Sequence, residues 1–329
     1  MKSYKESGVD IEEGNRAVQK IKNIVKSTFN ENVLSNIGLF GGFYKIDLNK
    51  YSEPVLVSST DGVGTKVLVA CEMGKFDSIG KDIVNHCVND ILTSGAEPLF
   101  FLDYIGIGKL KSENIESIIS GMAEACRENE CSLIGGEMAE MPDVYDYGKF
   151  DIVGTIVGIV EKSDIIINKV KRGDILVGLP SNGLHTNGYT LARKVLLKKF
   201  KLNQYIDELG STLGEELLKI HRSYYKVLKE ILKRPSLHGI SHITGGGILG
   251  NTKRIIPEGR ELKVKWDEWE WPTIFKLIQS VGGISEEEMR NVFNLGIGMI
   301  LIYDRNHMDE LLGYLKAIGE KALIVGEII

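Results

Sequence analysis

The chain has 329 residues, of which 43% are hydrophobic and 26% charged, and its formal net charge at pH 7 is −5. This length predicts two domains with ample apolar core, and an acidic chain without a basic block argues against nucleic acid as a main partner. The sequence shows no signal-peptide pattern and no apolar run of the ~18 residues that a membrane span needs. The cysteines form no C-x-x-C pair, so we expect free thiols in a reducing cytoplasm. They are Cys71, Cys87, Cys126 and Cys131.

The N-terminal segment is polar and contains glycines, and it precedes a helix that we predict over residues 15–29. A frayed terminus is the ordinary interpretation of such a segment, although Lys5 on a flexible arm could reach a phosphate. A second glycine-rich segment, residues 37–44, precedes a strand predicted near residues 43–47.

The segment PVLVSSTDGVGTK, residues 54–66, combines an apolar strand with a glycine turn, an acid and a lysine. We predict a strand at residues 55–57 that leads into the turn. Glycine N–H groups can approach an anion, Asp61 can hold Mg²⁺, and Lys66 supplies a positive charge. The segment does not match the G-x-x-x-x-G-K-[ST] phosphate loop. An ordinary strand-to-helix turn is the alternative interpretation.

Residues 77–93 have the apolar pattern of a helix, with one polar stripe. The stripe consists of Asp82, Asn85, His86, Asn89 and Asp90, which have the i, i+3, i+4, i+7, i+8 spacing of one helical face. Short acids, amides and a histidine suit the coordination of a cation and its waters better than the Lys, Glu and Arg of a typical exposed face. A plain solvent-facing surface is the alternative.

Two later strands also end in acids. Residues 99–104 predict a buried strand that ends at Asp103, and a strand at residues 131–134 leads into Gly135, Gly136 and Glu137. A helix at residues 113–129 lies between them, and a buried strand at residues 151–160 follows. Acids at the ends of several elements predict carboxylates that converge on a divalent metal.

A mixed charged stretch at residues 161–172 predicts a domain junction, and we assign residues 1–165 and 166–329 to the two domains. A strand at residues 173–180 leads into a glycine turn with His185, and a helix follows to about residue 200. A glycine turn at a helix N-terminus is an anion site by geometry and dipole. A structural role for His185 is the alternative.

The segment HGISHITGGGILG, residues 238–250, formally matches G-x-G-x-x-G. It is not interpreted as a dinucleotide site, because its strand is short and polar and it does not open a βαβ domain. A glycine turn here could instead close over a substrate phosphate. Strands and helices alternate to the C-terminus, which predicts an α/β (α+β) fold.

Together these motifs resemble the phosphoribosylformylglycinamidine cyclo-ligase family, also called aminoimidazole ribonucleotide synthetases. The resemblance is carried, in colinear order, by SYKESGVDI, PVLVSSTDGVGTK, VNDILTSGAEPLFFLDY, CSLIGGEMAEMP, LHTNGYTLARK, HITGGG and FNLGIGM. It implies ATP-dependent ring closure of formylglycinamidine ribonucleotide to aminoimidazole ribonucleotide in purine biosynthesis. It also implies ATP and Mg²⁺ as cofactors, and leaves a monovalent cation open.

The resemblance further implies a homodimer in which mixed sheets of the N-terminal ATP- and metal-binding domains pair into a β-barrel. The C-terminal α/β domain would pack alongside and complete the substrate cleft. Neither nucleic acid nor a membrane is expected as a partner.

Residue roles follow from matching motifs. The implied nucleotide and phosphate set is Lys5, Thr60, Asp61, Gly62, Gly64, Thr65, Lys66, Asp103 and Gly136. The implied metal ligands are Asp61, Asp90 and Glu137, with Asp82 a weaker candidate. The implied substrate set is His185, Asn187, Gly188, Thr244, Gly245 and Gly246. Met138 stands where the family pattern leads us to expect Thr, which puts one hydroxyl contact beside Glu137 in doubt.

The reaction needs an activated amide oxygen and a base for ring closure. Phosphoryl transfer to that oxygen makes an imidate phosphate, which carboxylate-bound Mg²⁺ and Lys66 would assist. His185 is our first expectation for the base, and His242 the second.

Other functions remain as alternatives to the cyclo-ligase. One is a small-molecule kinase or synthetase of the same superfamily, of the thiamine-monophosphate kinase or selenophosphate synthetase type. The chain lacks the N-terminal reactive cysteine that the latter needs, and the C-terminal cysteine of the related hydrogenase-maturation dehydratase. Another alternative is a non-catalytic nucleotide-binding scaffold.

Overall fold

A computed structural model describes residues 5–329 of the chain. These residues form two compact units: unit 1 comprises residues 5–91 and Pro98–Glu161, and unit 2 comprises Leu92–Glu97 and Lys162–Ile329. The fold is mixed α/β, as the sequence predicted. No helix within the described range is long and apolar enough to cross a membrane.

The described residues 5–161 contain four strands and four α-helices. The strands are β1 (Pro54–Gly62), β2 (Glu97–Ile107), β3 (Ser132–Glu140) and β4 (Phe150–Glu161). The helices are α1 (Ile11–Lys26), α2 (Lys66–Met73), α3 (Asp77–Leu92) and α4 (Ser112–Glu128).

The second half contains more and shorter elements. The strands are β5 (Ile175–Pro180), β6 (Tyr205–Ile206), β7 (Ser211–Thr212), β8 (Leu237–His242), β9 (Leu262–Val264), β10 (Ile297–Tyr303) and β11 (Leu323–Ile328). The helices are α5 (Tyr189–Leu196), α6 (Leu213–Leu217), α7 (Tyr225–Leu228), α8 (Gly247–Thr252), α9 (Thr273–Gly282), α10 (Glu286–Val292) and α11 (Met308–Ala317).

The sheet of unit 1 is mixed and has the strand order β1-β4-β2-β3. β1 and β4 are antiparallel, whereas β2 and β3 are parallel. Exposure alternates along β1, and Leu56 on its outer side is 56% exposed. Within the described residues this sheet is open rather than closed into a barrel.

Helix α3 carries the predicted polar stripe, and two glycines fix its close approach to α4. A Cβ at Gly80 would lie 1.9 Å from the Ile118 carbonyl oxygen, and one at Gly121 would lie 2.0 Å from the Asp77 carbonyl oxygen. Side chains at these positions would force the helices apart. The contact therefore holds α3 in a fixed position in unit 1.

The main sheet of unit 2 has the order β8-β10-β5-β11-β9, and each pair of neighbouring strands is antiparallel. β8 and β10 are buried along their whole length, and β5 is buried up to its last residue. Because these strands are buried, polar residues of unit 2 that bind ligands are expected in the loops at the strand ends.

Several predicted boundaries differ from the structure. The first helix begins at Ile11 because Asp10 caps it, accepting hydrogen bonds from the N–H groups of Glu12 and Glu13 at 3.1 and 3.2 Å. The strand predicted near residues 43–47 is wrong, since only one isolated bridge, Val33 with Tyr44, forms there.

Two strands extend through residues that were predicted to form turns. β1 continues to Gly62 because antiparallel pairing with β4 runs through Asp61, opposite Gly154. β3 contains Gly135, Gly136 and Glu137, which pair with β2. β8 is short and carries the polar residues His238, Ser241 and His242, as predicted, and all six of its residues are buried.

Candidate active site

The carboxylate site, as we name Asp61, His86 and Asp90, lies where β1 meets α3 in unit 1. Asp61 is near the end of β1, and the other two are one helical turn apart on α3. His86 Nε2 lies 2.9 Å from Asp61 Oδ2 and 4.0 Å from Asp90 Oδ2. Ser59 donates a hydrogen bond of 2.9 Å to Asp90 Oδ2. The structure thus brings two of the three predicted metal ligands around one imidazole.

The charges in this site are coupled. Burial favours a lower pKa for His86, but the hydrogen bond to Asp61 and the negative charges of both aspartates outweigh it, so the pKa is raised. Partial burial acts to raise the pKa of Asp61, and the hydrogen bond and charge of His86 overcome it and lower the value. An ionised Asp61 side chain that is 46% exposed and shares His86 with Asp90 is able to receive a cation.

The oxygens of the carboxylate site match what Mg²⁺ prefers. Carboxylate and hydroxyl oxygens are its usual protein ligands, and a few of them suffice because the ion keeps several waters. Asp61, Asp90 and Ser59 supply such atoms within one cluster. From the sequence, His86 was predicted as a member of the polar stripe without a role of its own.

The polar stripe of α3 does not act as one site. Asp82 Oδ2 pairs with Lys66 Nζ at 2.8 Å, and both side chains are fully buried. Asn85 accepts a 2.8 Å hydrogen bond from Asn129, at the C-terminus of α4. Because α3 is buried on nearly every side, residues of one stripe reach different neighbours.

Lys66 opens α2, and burial lowers its pKa although Asp82 opposes this effect. In this arrangement its ammonium group faces Asp82 rather than the end of β1. At the end of β1, Thr60 donates a hydrogen bond of 2.9 Å to the Gly154 carbonyl, and the Gly62 N–H donates to Asp61 Oδ1 at 2.7 Å. Gly64 has φ +63°, and Thr65 occupies the N-cap position of α2.

Asp103 and Glu137 form a second acidic pair, on the neighbouring strands β2 and β3. Burial raises the pKa of Asp103 to about 7, the charge of Glu137 adds to the rise, and a backbone hydrogen bond opposes it. A Cβ at Gly136 would lie 2.2 Å from Asp103 Oδ1, so glycine is required there. In sheet order β1 and β3 are separated by two strands, and the structure groups Glu137 with Asp103.

A cavity of about 330 Å³ opens beside this pair. Its apolar wall comes mainly from α1, the loop at residues 36–42 and the start of β3. Its lining includes Val18, Ile21, Val25, Asp103, Glu137 and Met138. A mostly apolar cavity with few polar groups is the usual form of a small-molecule site. The ammonium group of Lys5, which was predicted to contact phosphate, instead pairs with the Asp10 carboxylate at 2.8 Å.

In unit 2, three buried histidines that we call the histidine cluster meet at the ends of strands: His185, His221 and His242. Each offers a ring nitrogen within 4.8 Å of the others. His185 has φ +61°, an uncommon backbone conformation for a non-glycine residue, and its Nε2 accepts the Asn182 N–H at 3.1 Å. Its ring stacks on His221 at 4.1 Å.

His221 joins the other members of the histidine cluster. Its Nε2 lies 3.1 Å from His242 Nε2, and its Nδ1 lies 3.1 Å from Thr186 Oγ1. His221 was not predicted as a site residue; it lies in an irregular segment between α6 and α7. No periodicity or motif marks that segment.

The two glycine turns of the predicted substrate set lie together. A Cβ at Gly245 would be 3.5 Å from Asn187 Oδ1. Asn251, which the sequence analysis also missed, donates hydrogen bonds to the carbonyls of Thr244, Gly245 and Gly247 at 3.2, 3.3 and 2.8 Å. This clamp holds the glycine turn in one conformation.

Gly188 and Gly246 begin the helices that follow the two turns. Both have positive φ, +76° and +101°, and serve as the N-caps of α5 and α8. At Gly188 a Cβ would lie 2.3 Å from the Phe293 ring. The structure therefore brings together His185, Asn187, Gly188, His242 and the turn at residues 244–246.

Comparison with known proteins gives the class first. Residues 45–160 match the family described as AIR synthase related protein, N-terminal domain, and residues 171–329 match its C-terminal domain. The fold is also similar to thiamine-monophosphate kinase from Stenotrophomonas maltophilia, with a TM-score of 0.71 at 16% identity, covering 95% of this chain and 93% of that one. The hydrogenase maturation protein HypE, solved in complex with ATP, gives 0.65 at 17% identity, covering 96% and 86%.

Closer relatives narrow the class. The chain is 48% identical to a phosphoribosylformylglycinamidine cyclo-ligase of Alkaliphilus oremlandii, covering 99% of this chain and 97% of that one. It is 49% identical to the enzyme of that name from Carboxydothermus hydrogenoformans, covering 99% and 96%. The chain belongs to the phosphoribosylformylglycinamidine cyclo-ligase family, which confirms the resemblance seen in the sequence motifs.

Proposed function

We propose that this ligase uses ATP to close the imidazole ring of formylglycinamidine ribonucleotide, giving aminoimidazole ribonucleotide, ADP and phosphate in purine biosynthesis. Family membership supports the reaction. The observation that carries it in the structure is the carboxylate site, where Asp61 and Asp90 lie around one histidine at the end of β1.

The chemistry requires two steps. The formyl amide oxygen is a poor leaving group, so it first takes the γ-phosphoryl group of ATP and becomes an imidate phosphate. The amidine nitrogen then attacks the same carbon, the C–O bond breaks, and phosphate leaves with that oxygen. A proton is lost from the attacking nitrogen, and a side-chain base accelerates such a transfer.

The phosphoryl step belongs to unit 1. Asp61 and Asp90 would hold Mg²⁺, which would neutralise charge on the phosphates. Thr60, Gly62, Gly64 and Thr65 lie at the same end of β1 and at the start of α2, where backbone N–H groups can meet phosphate oxygens. To contact phosphate, the Lys66 ammonium group would have to separate from Asp82, and that of Lys5 from Asp10.

The cavity beside Asp103 would accept the purine of ATP. It offers an apolar wall for the ring and an acid whose pKa of about 7 lets it donate or accept a hydrogen bond near neutral pH. Gly136 keeps the cavity open to Asp103. Glu137, which the family motifs imply as a metal ligand, would then act beside Asp103.

We place the ring-closing base at His242 rather than at His185. The Nε2 of His185 accepts a backbone N–H, so the neutral ring carries its proton on Nδ1 and has no lone pair left for a substrate proton. His242 ends β8 beside the turn at residues 244–246. Asn187, Gly188, Thr244, Gly245 and Gly246 would bind the ribonucleotide, with His185 shaping the turn.

A second copy of the chain would cover the outer face of the unit 1 sheet, so that two mixed sheets form one barrel. The face carries Leu56, Val153 and Val157 beside Ser58, Thr60 and Thr155, and Leu56 is more than half exposed. A sheet face with several apolar residues usually packs against another layer. The cytoplasm is the expected compartment, because all four cysteines are free thiols.

The purified protein tests the reaction directly. Phosphate release from ATP with Mg²⁺ is followed with and without formylglycinamidine ribonucleotide, while aminoimidazole is trapped by diazo coupling. The proposal predicts substrate-dependent phosphate release with an equal amount of aminoimidazole. ATP turnover without ring product would instead support a small-molecule kinase. The absence of both phosphate release and aminoimidazole would support a non-catalytic scaffold.

A further inference from the structure

We propose that His221 is a positioning residue for ring closure, which sets the tautomer of His242 and takes over its excess proton. The inference rests on the proposed function, because it gives His221 a role only if His242 is the base. It concerns a residue outside the motifs that identify the family.

His221 is placed to act on His242. Its side chain is fully buried, and His242 is 5% exposed. The two Nε2 atoms are 3.1 Å apart, a normal N–H···N distance, so one nitrogen must donate and the other accept. The second nitrogen of His221 faces the Thr186 hydroxyl at 3.1 Å.

This geometry links the two tautomers. When His242 carries its proton on Nε2, its Nδ1 has the lone pair that can accept a substrate proton. That state requires His221 to accept at Nε2 and to donate from Nδ1 to Thr186 Oγ1. In the opposite state His221 donates from Nε2 and Thr186 donates to Nδ1. In either neutral state the two rings therefore hold opposite tautomers.

Proton balance follows from the same contacts. His242 Nδ1 takes the proton that the attacking nitrogen loses, and the Nε2 proton of His242 moves to His221 Nε2. His221 is then an imidazolium that donates from Nδ1 to Thr186, and His242 is neutral again. A charge in this buried place is shared by two rings instead of resting on one.

A metal ion held by the histidine cluster is the rival explanation, since the three ring nitrogens lie within 4.8 Å. Two observations disfavour it. His185 and His221 stack at 4.1 Å with an interplanar angle of 22°, so their lone pairs run nearly parallel instead of converging on one point. His185 Nε2 also accepts the Asn182 N–H, which leaves a protonated Nδ1 in the neutral ring.

Two variants of His221 test the role. His221→Phe keeps a ring to stack on His185 but removes both nitrogens, and His221→Gln restores one amide that can donate or accept. The matched control is His238→Gln, which changes another buried histidine of the same sheet, one that pairs with Asp174. Aminoimidazole formation, ADP formation, the KM for ATP and thermal unfolding are measured for each protein.

We expect kcat for aminoimidazole to fall ~10²-fold in His221→Phe, with KM for ATP nearly unchanged and more ADP than aminoimidazole formed. His221→Gln should recover about a tenth of the lost rate or more, and His238→Gln should keep ADP and aminoimidazole equal. A folded His221→Phe protein with unchanged kcat and equal products would overturn the proposal.

A measurement without substitution covers the case in which both variants fail to fold. Histidine ¹⁵N spectra of the unsubstituted protein should show opposite tautomers at His221 and His242. The same tautomer at both rings, or stoichiometric bound zinc, would refute the inference. If the unsubstituted protein makes no aminoimidazole at all, the proposed function fails first, and the two failures are distinguishable.

Discussion

The carboxylate site of unit 1 and the histidine cluster of unit 2 differ in charge and in burial. In the carboxylate site, a half-exposed acid and a partly buried one share a histidine whose pKa they raise. In the histidine cluster, three rings are almost completely buried and contact one another and nearby hydroxyl and amide groups. Ionic interactions therefore dominate the carboxylate site, whereas hydrogen bonds between neutral rings dominate the histidine cluster.

This difference suggests a division of the reaction. Phosphoryl transfer mainly needs positioning and neutralisation of charge, which charged, cation-accepting side chains supply. Ring closure needs a proton taken from nitrogen, which a neutral imidazole does well. Substitutions in the two sites should therefore fail at different steps.

The largest effect is expected from Asp90→Asn in the carboxylate site. Loss of this charge should weaken the cation site and lower the rate of ADP formation by ~10³-fold, comparable to removing a key electrostatic group from an enzyme. Substrate-dependent ADP release measures it. Asp77→Asn, on the exposed start of the same helix, should behave as the unsubstituted protein, and equal rates for all three would remove Asp90 from the site.

His242→Gln should cause the converse failure. Aminoimidazole formation should fall ~10²–10⁴-fold, as expected for loss of a general base, while ADP continues to form. Rapid-quench analysis of both products measures the split. His185→Gln should lose less than His242→Gln, and the reverse order would return the base to His185.

Leu56→Lys tests the proposed pairing of unit 1 sheets. A charge placed in a buried sheet interface is costly, so the variant should shift from dimer toward monomer by ~10²-fold in the dissociation constant. Sedimentation equilibrium gives the constant. Ile318→Lys changes an aliphatic residue of unit 2 with similar exposure and should stay dimeric. A monomeric unsubstituted protein would refute the barrel.

Gly136→Ala tests the cavity beside Asp103. The new Cβ would lie 2.2 Å from Asp103 Oδ1, so we expect a loss of ~1–3 kcal/mol in unfolding free energy. ATP should also bind more weakly. Chemical denaturation and ATP titration measure the two effects. Gly135→Ala is the neighbouring control, since its Cβ would meet only the flexible Leu102 side chain at 3.3 Å.

Asp103→Asn should have the smallest effect, visible as a change in pH dependence. The pKa of Asp103 is about 7 in the folded protein and ~3.9 when unfolded. Between these values the folded state binds a proton that the unfolded state lacks, so stability falls as pH rises toward 7. The full difference would correspond to ~4 kcal/mol at pH 8. Because the Asp103 side chain keeps partial contact with solvent, the variant should gain ~1–2 kcal/mol over the unsubstituted protein at pH 8 and almost nothing at pH 4.

Denaturation at the two pH values measures this gain. Asp151→Asn, an exposed position on β4, serves as the control. An identical pH dependence in Asp103→Asn and the unsubstituted protein would show that Asp103 titrates normally.

The sequence predicted the elements that carry strong periodicity or motifs. Helix α3 was predicted because its apolar residues repeat at helical spacing, and the proximity of Asp61 to Asp90 followed from a strand end and a polar stripe. The separate pairing of Asp82 with Lys66 was not predictable, because it depends on how α2 and α3 pack.

Residues in irregular segments escaped prediction for the same reason. His221 reaches His242 only through the tertiary fold, and no local pattern marks it. Asn251 clamps the turn four residues before it by hydrogen bonds that a short helix positions. The turn at Gly135 and Gly136 was predicted from glycine content, but pairing with β2 made it part of a strand.

The most direct test follows the amide oxygen. Formylglycinamidine ribonucleotide labelled with ¹⁸O at the formyl oxygen is converted with ATP in ordinary water, and the phosphate is analysed by mass spectrometry. The account predicts one ¹⁸O in the inorganic phosphate for each aminoimidazole formed, because the oxygen leaves with the phosphoryl group. Unlabelled phosphate, with the ¹⁸O lost to water, would contradict activation of the amide by phosphorylation.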